Sequence, residues 1–214
     1  MQLPVPFVKN PNDRCVPASV GMILAYFLPN KQFTMPELEH LCAYRQGEGC
    51  WPMAHWLELT DMGFEIKVIE AFDLRDFSED PVAYLKSILK DPEALAFQLV
   101  NTENLKKEAA LSKEVLARGL YHENRPGTVE DIKTFLDDGW VVRLEVDAMT
   151  LARQPGYEGH SVLAIGYTDD EIILHNPDGR HGNRPEQHVA WPDFMEAWRN
   201  MGGSYSLNAY RLAP

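Results

Sequence analysis

A chain of 214 residues with 45 % hydrophobic and 24 % charged side chains has the composition of an ordinary globular protein, and at that length one core can bury roughly 70 % of the unfolded surface without staples. Twenty basic against thirty-two acidic residues leave a net charge of −12, which repels phosphate backbones and counts against a nucleic-acid partner. Three cysteines, an odd number, count against a disulfide framework.

The opening run Met1-Gln2-Leu3-Pro4-Val5-Pro6 has neither the basic nor the continuous apolar region of a signal peptide. The longest apolar stretch, Val16 to Leu28, is too short for a bilayer and is broken by Pro17, Ser19 and Gly21. A cytoplasmic protein with no membrane partner is therefore expected. Asn10-Pro11-Asn12-Asp13 marks a tight turn. From Cys15 the pattern is helical, with Val20, Ile23, Leu24 and Phe27 on one face, and it ends before Pro29. Thr34 and Glu37 form a capping box with Pro36 in the first turn, which predicts a second helix to about Tyr44. A third helix starts near Pro52 and stops at Gly63. Phe64 to Phe72 then alternates as a strand, with Phe64, Ile66 and Val68 on one side.

Residues 73–125 are polar and helical. Asp80-Pro81 and Asp91-Pro92 each read as an N-cap followed by Pro, and Gly119 as a C-terminal stop. The stretch is expected to be a helical insertion within one domain spanning 1–214, serving as a lid or covering a sheet edge rather than forming core. Thr128 caps a helix that ends at Gly139. Strands are predicted over 141–146, 161–167, 172–174 and 205–212, with a hairpin turn at Thr168-Asp169-Asp170-Glu171 and a short helix over 192–199. Helices first and antiparallel strands last describe an α+β chain with segregated halves, and a cleft is expected where the halves meet.

Cys15 falls in the first turn of the first helix, where unpaired amide groups and the helix dipole favour a thiolate. Position alone favours, by a small margin, a cysteine packed under the helix end. His160 opens a strand directly after Gly159, and Asn176 closes the next strand before Pro177. The two share parity, which around the hairpin puts them on one sheet face as near neighbours. An amide oxygen there can accept the imidazole N–H and fix its tautomer, the task of a third triad member. His40, Cys42, Cys50 and His55 lack the close spacing of a structural zinc site, so no metal is expected. Cys42 and Cys50 read as apolar fillers, and His175, His181 and His188 as surface residues. The tryptophans read as core or hinge fillers, with Trp51 a candidate for lining the cleft. No phosphate-binding or dinucleotide loop is present, and no cofactor is expected.

Residues 12–24, Asn-Asp-Arg-Cys-Val-Pro-Ala-Ser-Val-Gly-Met-Ile-Leu, resemble the nucleophile helix of the bacteriocin-processing (double-glycine leader) peptidase-like family, a papain-like group. Gly159 to Tyr167 and Ile173 to Pro177 resemble that group's histidine strand and its following aspartate or asparagine strand. The resemblance implies a papain-like fold and a hydrolase acting on peptide or amide bonds through Cys15, His160 and Asn176. An amidase or acyltransferase on the same residues, or an inactive peptide-binding module, stands as the alternative. The family usually has Gly after the nucleophile, where this chain has Val16. It also carries a Gln five or six residues before the nucleophile, to hold the oxyanion; Asn10 and Lys9 stand at those positions. Asn10 supplies the same N–H from a shorter stem, and one such donor matters by about 10² to 10³ in rate. The expected partner is a peptide or small amide substrate. No ATP-binding region accompanies these motifs, so a transporter-linked role is not expected.

Overall fold

The computed structural model describes residues 1–90, 92–100, 102–200 and 203–213; the N-cap expected at Asp91 lies outside them. The strands are β1 (Phe64–Glu70), β2 (Tyr121–Asn124), β3 (Val141–Asp147), β4 (Gly159–Tyr167), β5 (Glu171–Asn176), β6 (Arg184–Ala190) and β7 (Leu207–Leu212). They form one sheet in the order β2-β1-β7-β3-β4-β5-β6. The β1/β2 pair is parallel, and the remaining pairs are antiparallel. Between β4 and β5 the register changes along the ladder: Gly166 stands opposite Ile173, but Ala164 stands opposite Leu174. That is a β-bulge at Ile165. The N-terminal segment is held there, with Gln2 bridged to Gly166 and Leu3 N–H bonded to the Ile165 carbonyl at 2.7 Å. A Cβ on Gly166 would lie 2.4 Å from the Met1 carbonyl oxygen, so the approach requires glycine.

One face of the sheet carries α1 (Cys15–Phe27), α2 (Met35–Leu41), α3 (Met53–Asp61), α4 (Leu74–Glu79), α5 (Pro81–Ile88), α6 (Pro92–Leu99) and α7 (Thr102–Ala117). The other face carries α8 (Val129–Asp137), the single turn α9 (Ala148–Leu151) and α10 (Trp191–Arg199). Each face has its own apolar cluster, and odd and even positions of the central strands divide between them. Leu163, Ile165 and Ile173 belong to the first; Val162, Ala164, Ile172 and Leu174 belong to the second.

The expected caps take shape. The Glu37 carboxylate accepts the Thr34 N–H at 2.7 Å, Asp80 Oδ1 accepts from Ala83 N–H at 2.9 Å, and Thr128 Oγ1 accepts from Asp131 N–H at 3.1 Å. Four expectations change. α1 is not amphipathic: every residue from Val16 to Leu24 is buried, with α2 and strands β4 and β7 packed against the helix. α2 stops at Leu41, and the chain turns through Ala43 in a left-handed conformation, φ 47°. The 73–125 segment does contribute core, through Leu74, Phe77, Leu85, Leu105 and Val115, and it ends in strand β2, which extends the sheet beyond β1. β6 is a further strand not anticipated. Among the described residues, no helix is long and apolar enough to cross a membrane.

Candidate active site

The start of α1 is organised from outside the helix. Arg14, at the N-cap, provides no side-chain cap. Asn10, 3 % exposed, takes that role: its Oδ1 accepts from the N–H groups of Asn12 at 3.0 Å and Arg14 at 2.9 Å. Its Nδ2 donates to the Pro177 carbonyl at 2.8 Å, and its backbone is clasped by the Asn183 amide at 2.9 and 3.0 Å. Pro177 follows Asn176, so one buried amide joins the helix start to the end of β5. Gly179 permits the contact, since a Cβ there would lie 2.4 Å from the Asn12 carbonyl oxygen. Cys15 is thereby set in the first turn, at the positive end of a buried helix.

His160, 7 % exposed, is the second residue of β4, opposite Val146. Its Nε2 lies 2.8 Å from Asn176 Oδ1. Asn176 Nδ2 donates to Gln187 Oε1 at 2.8 Å, which orients the amide with its oxygen toward the ring. Nδ1 is then the nitrogen available to the Cys15 thiol, with which the ring interacts. Burial alone would push the thiol up. The hydrogen bond and charge of His160, the Ser161 N–H and the Arg143 guanidinium outweigh burial, and the thiol is held below its ordinary value. For His160, burial pulls the ring down, but Cys15, Asn176 and the Asp178 carboxylate outweigh it and hold the ring above its ordinary value. Both displacements favour a thiolate beside an imidazolium.

Behind the pair lies a buried polar layer that the sequence reading did not anticipate. Arg143, fully buried on β3, donates from Nη1 to Ser161 Oγ at 3.2 Å and from Nη2 to Glu145 Oε1 at 3.0 Å. The only signal was one arginine inside the apolar run Val141-Val142-Arg143-Leu144. His55 is buried with Nε2 3.0 Å from the Tyr210 hydroxyl, and burial followed by the Arg143 charge holds it well below its ordinary value. Gln187 escaped notice because Arg184-Pro185-Glu186-Gln187 does not alternate like a strand. His175 is a correction: it is 2 % exposed, with Nε2 2.8 Å from the Val5 carbonyl and Nδ1 accepting the Glu186 N–H at 3.1 Å. Its strand is flanked on both sides, so a polar side chain there faces protein rather than water. His181 and His188 do reach the surface. Among the described residues, no three His, Cys, Asp or Glu side chains gather as a metal ion would need.

A cavity of about 480 Å³ has Cys50, Trp51, Leu85 and Glu145 among its walls. Cys50 interacts electrostatically with Cys15, Glu145 pairs in register with Ser161, and Tyr157, another wall residue, precedes His160 by three positions. The cavity is therefore walled by residues that neighbour the thiol and imidazole, and Leu85, Ile88, Leu89, Lys90 and Gln98 of the 73–125 segment also line it.

No family model and no curated protein matches this sequence. Solved structures do resemble it, among them these two. One is the peptidase domain of Streptococcus ComA, a bi-functional ABC transporter involved in a quorum-sensing pathway, with 13 % identity and a TM-score of 0.50 over 97 % of each chain. The other is a candidate C39-like peptidase from Bacillus anthracis, with 15 % identity and a TM-score of 0.46 over 97 % of this chain and 94 % of that one. At these identities the first likeness is one of architecture. The chain has the papain-like α+β fold of that peptidase domain.

Proposed function

We propose that this protein is a cysteine-dependent hydrolase that cleaves a peptide or amide bond. The observation that supports it most is the line of contacts from the Cys15 thiol through His160 to Asn176, with thiol and imidazole displaced toward the charged pair. The Cys15 thiolate attacks the substrate carbonyl carbon, a C–S bond forms, and the carbonyl electron pair becomes an oxyanion. The Cys15 N–H and the second Nδ2 proton of Asn10, whose first is committed to Pro177, hold that charge. The intermediate collapses, the C–N bond breaks, and His160 gives its Nδ1 proton to the departing amine. Water then attacks the thioester, His160 takes its proton, and the thiolate leaves. Asn176 keeps the ring in the one orientation that serves both transfers.

The test is the rate of iodoacetamide labelling of Cys15, Cys42 and Cys50 against pH, read by mass spectrometry. Labelling of Cys15 should begin well below the free-thiol value of about 8.5 and outpace the other two. Cys50, whose thiol is pushed up by Cys42 and by burial, should lag. A Cys15 that titrates like a peptide thiol, or reacts only on unfolding, overturns the assignment and leaves an inactive binding module.

A further inference from the structure

The cavity combines apolar walls with one buried carboxylate. Trp51 and Phe72 present aromatic surface, with ring centroids 6.0 Å apart, and Leu85 and Leu89 present aliphatic surface. Among them lies Glu70, the last residue of β1, 8 % exposed. Its Oε2 accepts the Ser206 hydroxyl at 2.9 Å, and its Oε1 stands 3.5 Å from His122 Nε2. Among the described residues no lysine or arginine pairs with it. Among the other described charges of the lining, Glu145 is paired with Arg143 at 3.0 Å, and Lys90 keeps its charge while its ammonium turns to the Ser87 carbonyl at 2.8 Å. A carboxylate with no lysine or arginine partner, lining an aromatic and aliphatic pocket, is complementary to a long apolar stem that ends in a cation.

We propose that this cavity binds the side chain of an arginine or lysine of the peptide substrate, its cationic head at Glu70 and its stem against Leu85 and Leu89. The assignment rests on the hydrolase reading for the word substrate, and on the cavity alone for the basic side chain. Arginine suits the walls better than lysine, because a planar guanidinium stacks on Trp51 or Phe72 while its edge meets a carboxylate.

Binding is measured by calorimetric titration of the Cys15→Ala protein, which cannot turn over, with Nα-acetyl-arginine methylamide and with its norleucine counterpart. The arginine probe should bind about tenfold tighter or more. Glu70→Gln should erase that difference. Ile88→Lys, at a cavity wall residue 38 % exposed and therefore safe for the fold, should weaken the arginine probe about tenfold and leave norleucine unchanged. Equal binding of the two probes overturns the proposal. So does a preference for arginine that survives Glu70→Gln, or one that Ile88→Lys leaves intact. Because binding needs no turnover, the two readings fail separately. A discriminating cavity with an ordinary Cys15 thiol would sink the hydrolase alone, and an activated thiol with an indifferent cavity would sink the basic subsite alone.

Discussion

Asn176 serves His160 only because Gln187 holds its other end. Without the 2.8 Å bond to Gln187 Oε1 the amide is free to present its nitrogen to the ring, and two donors would then face each other. Asn176→Ala should leave the circular dichroism spectrum intact and lower kcat/KM less than Cys15→Ala does. The pH profile separates a positioning role from a structural one. Activity should rise as pH passes upward through the lowered Cys15 value, and fall as it passes through the raised His160 value. Asn176 is one of the groups that raise His160, so its loss should move the alkaline limb to lower pH and leave the acid limb in place. Cys15, His160 and Asn176 were legible because each stands at an element end announced by a local signal: a helix start after a turn, a strand after Gly159, and a strand end before Pro177. Arg143, Gln187 and the burial of His175 were not, because each is decided by which strands flank its own.

At the scale of the element, α7 carries a residue at odds with its surroundings. Glu108 is 5 % exposed, its Oε2 lacks a hydrogen-bond partner, and burial lifts its carboxyl to about 7, against the opposing pull of Arg45 and with the help of Glu48. Between the unfolded value of about 4.3 and 7, the native state holds a proton that the unfolded state has released. Stability therefore falls as pH rises through that window, and the loss is complete above it. Glu108→Gln should stabilise the protein by about 2 kcal/mol at pH 8 and do little at pH 4, as urea unfolding at the two pH values would show. An equal effect at both would mean that Glu108 is not buried in the charged form. Elements with strong termini, such as α2, α5 and α8, could be placed from capping residues alone. β2 and β6 could not. Tyr121-His122-Glu123-Asn124 is too short and polar to show a period, and β6 exists because β5 offers it an edge.

Across the whole molecule, the 73–125 segment divides into an anchored part and a rim. α4 and α7 insert Leu74, Phe77, Leu105, Ala109 and Val115 into the core. α5 offers Leu85, and Leu85, Ile88 and Leu89 face the cavity. Residues 81–99 should therefore exchange amide hydrogens faster than residues 105–117, and both faster than β4 and β5, whose ladders are buried on two faces. Mass-spectrometric exchange on the free protein reads this directly, and uniform protection from 81 to 117 would remove any role for the rim as a moving cover. The order of helices then antiparallel strands made the α+β architecture legible from the start. The second apolar face under α8 and α10 was less so, because strands buried on both sides lose the alternation that betrays a single core.

The bulge at Ile165 has a bearing on the distant end of its own strand. Count straight from the hairpin tip, where Gly166 stands opposite Ile173, and three steps on Leu163 would stand opposite Asn176. Asn176 would then share a side with Leu163, and His160 would look the other way. The single extra residue acts as a half-period phase shift: it lets the tip keep its own pairing while the far end is inverted, so that imidazole and amide meet at 2.8 Å. It follows that equal numbering parity guarantees a shared face only when the count of bulges between two residues is known. The N-terminal strap is bonded to Ile165 and Gly166, at the bulge itself, some six positions from the histidine.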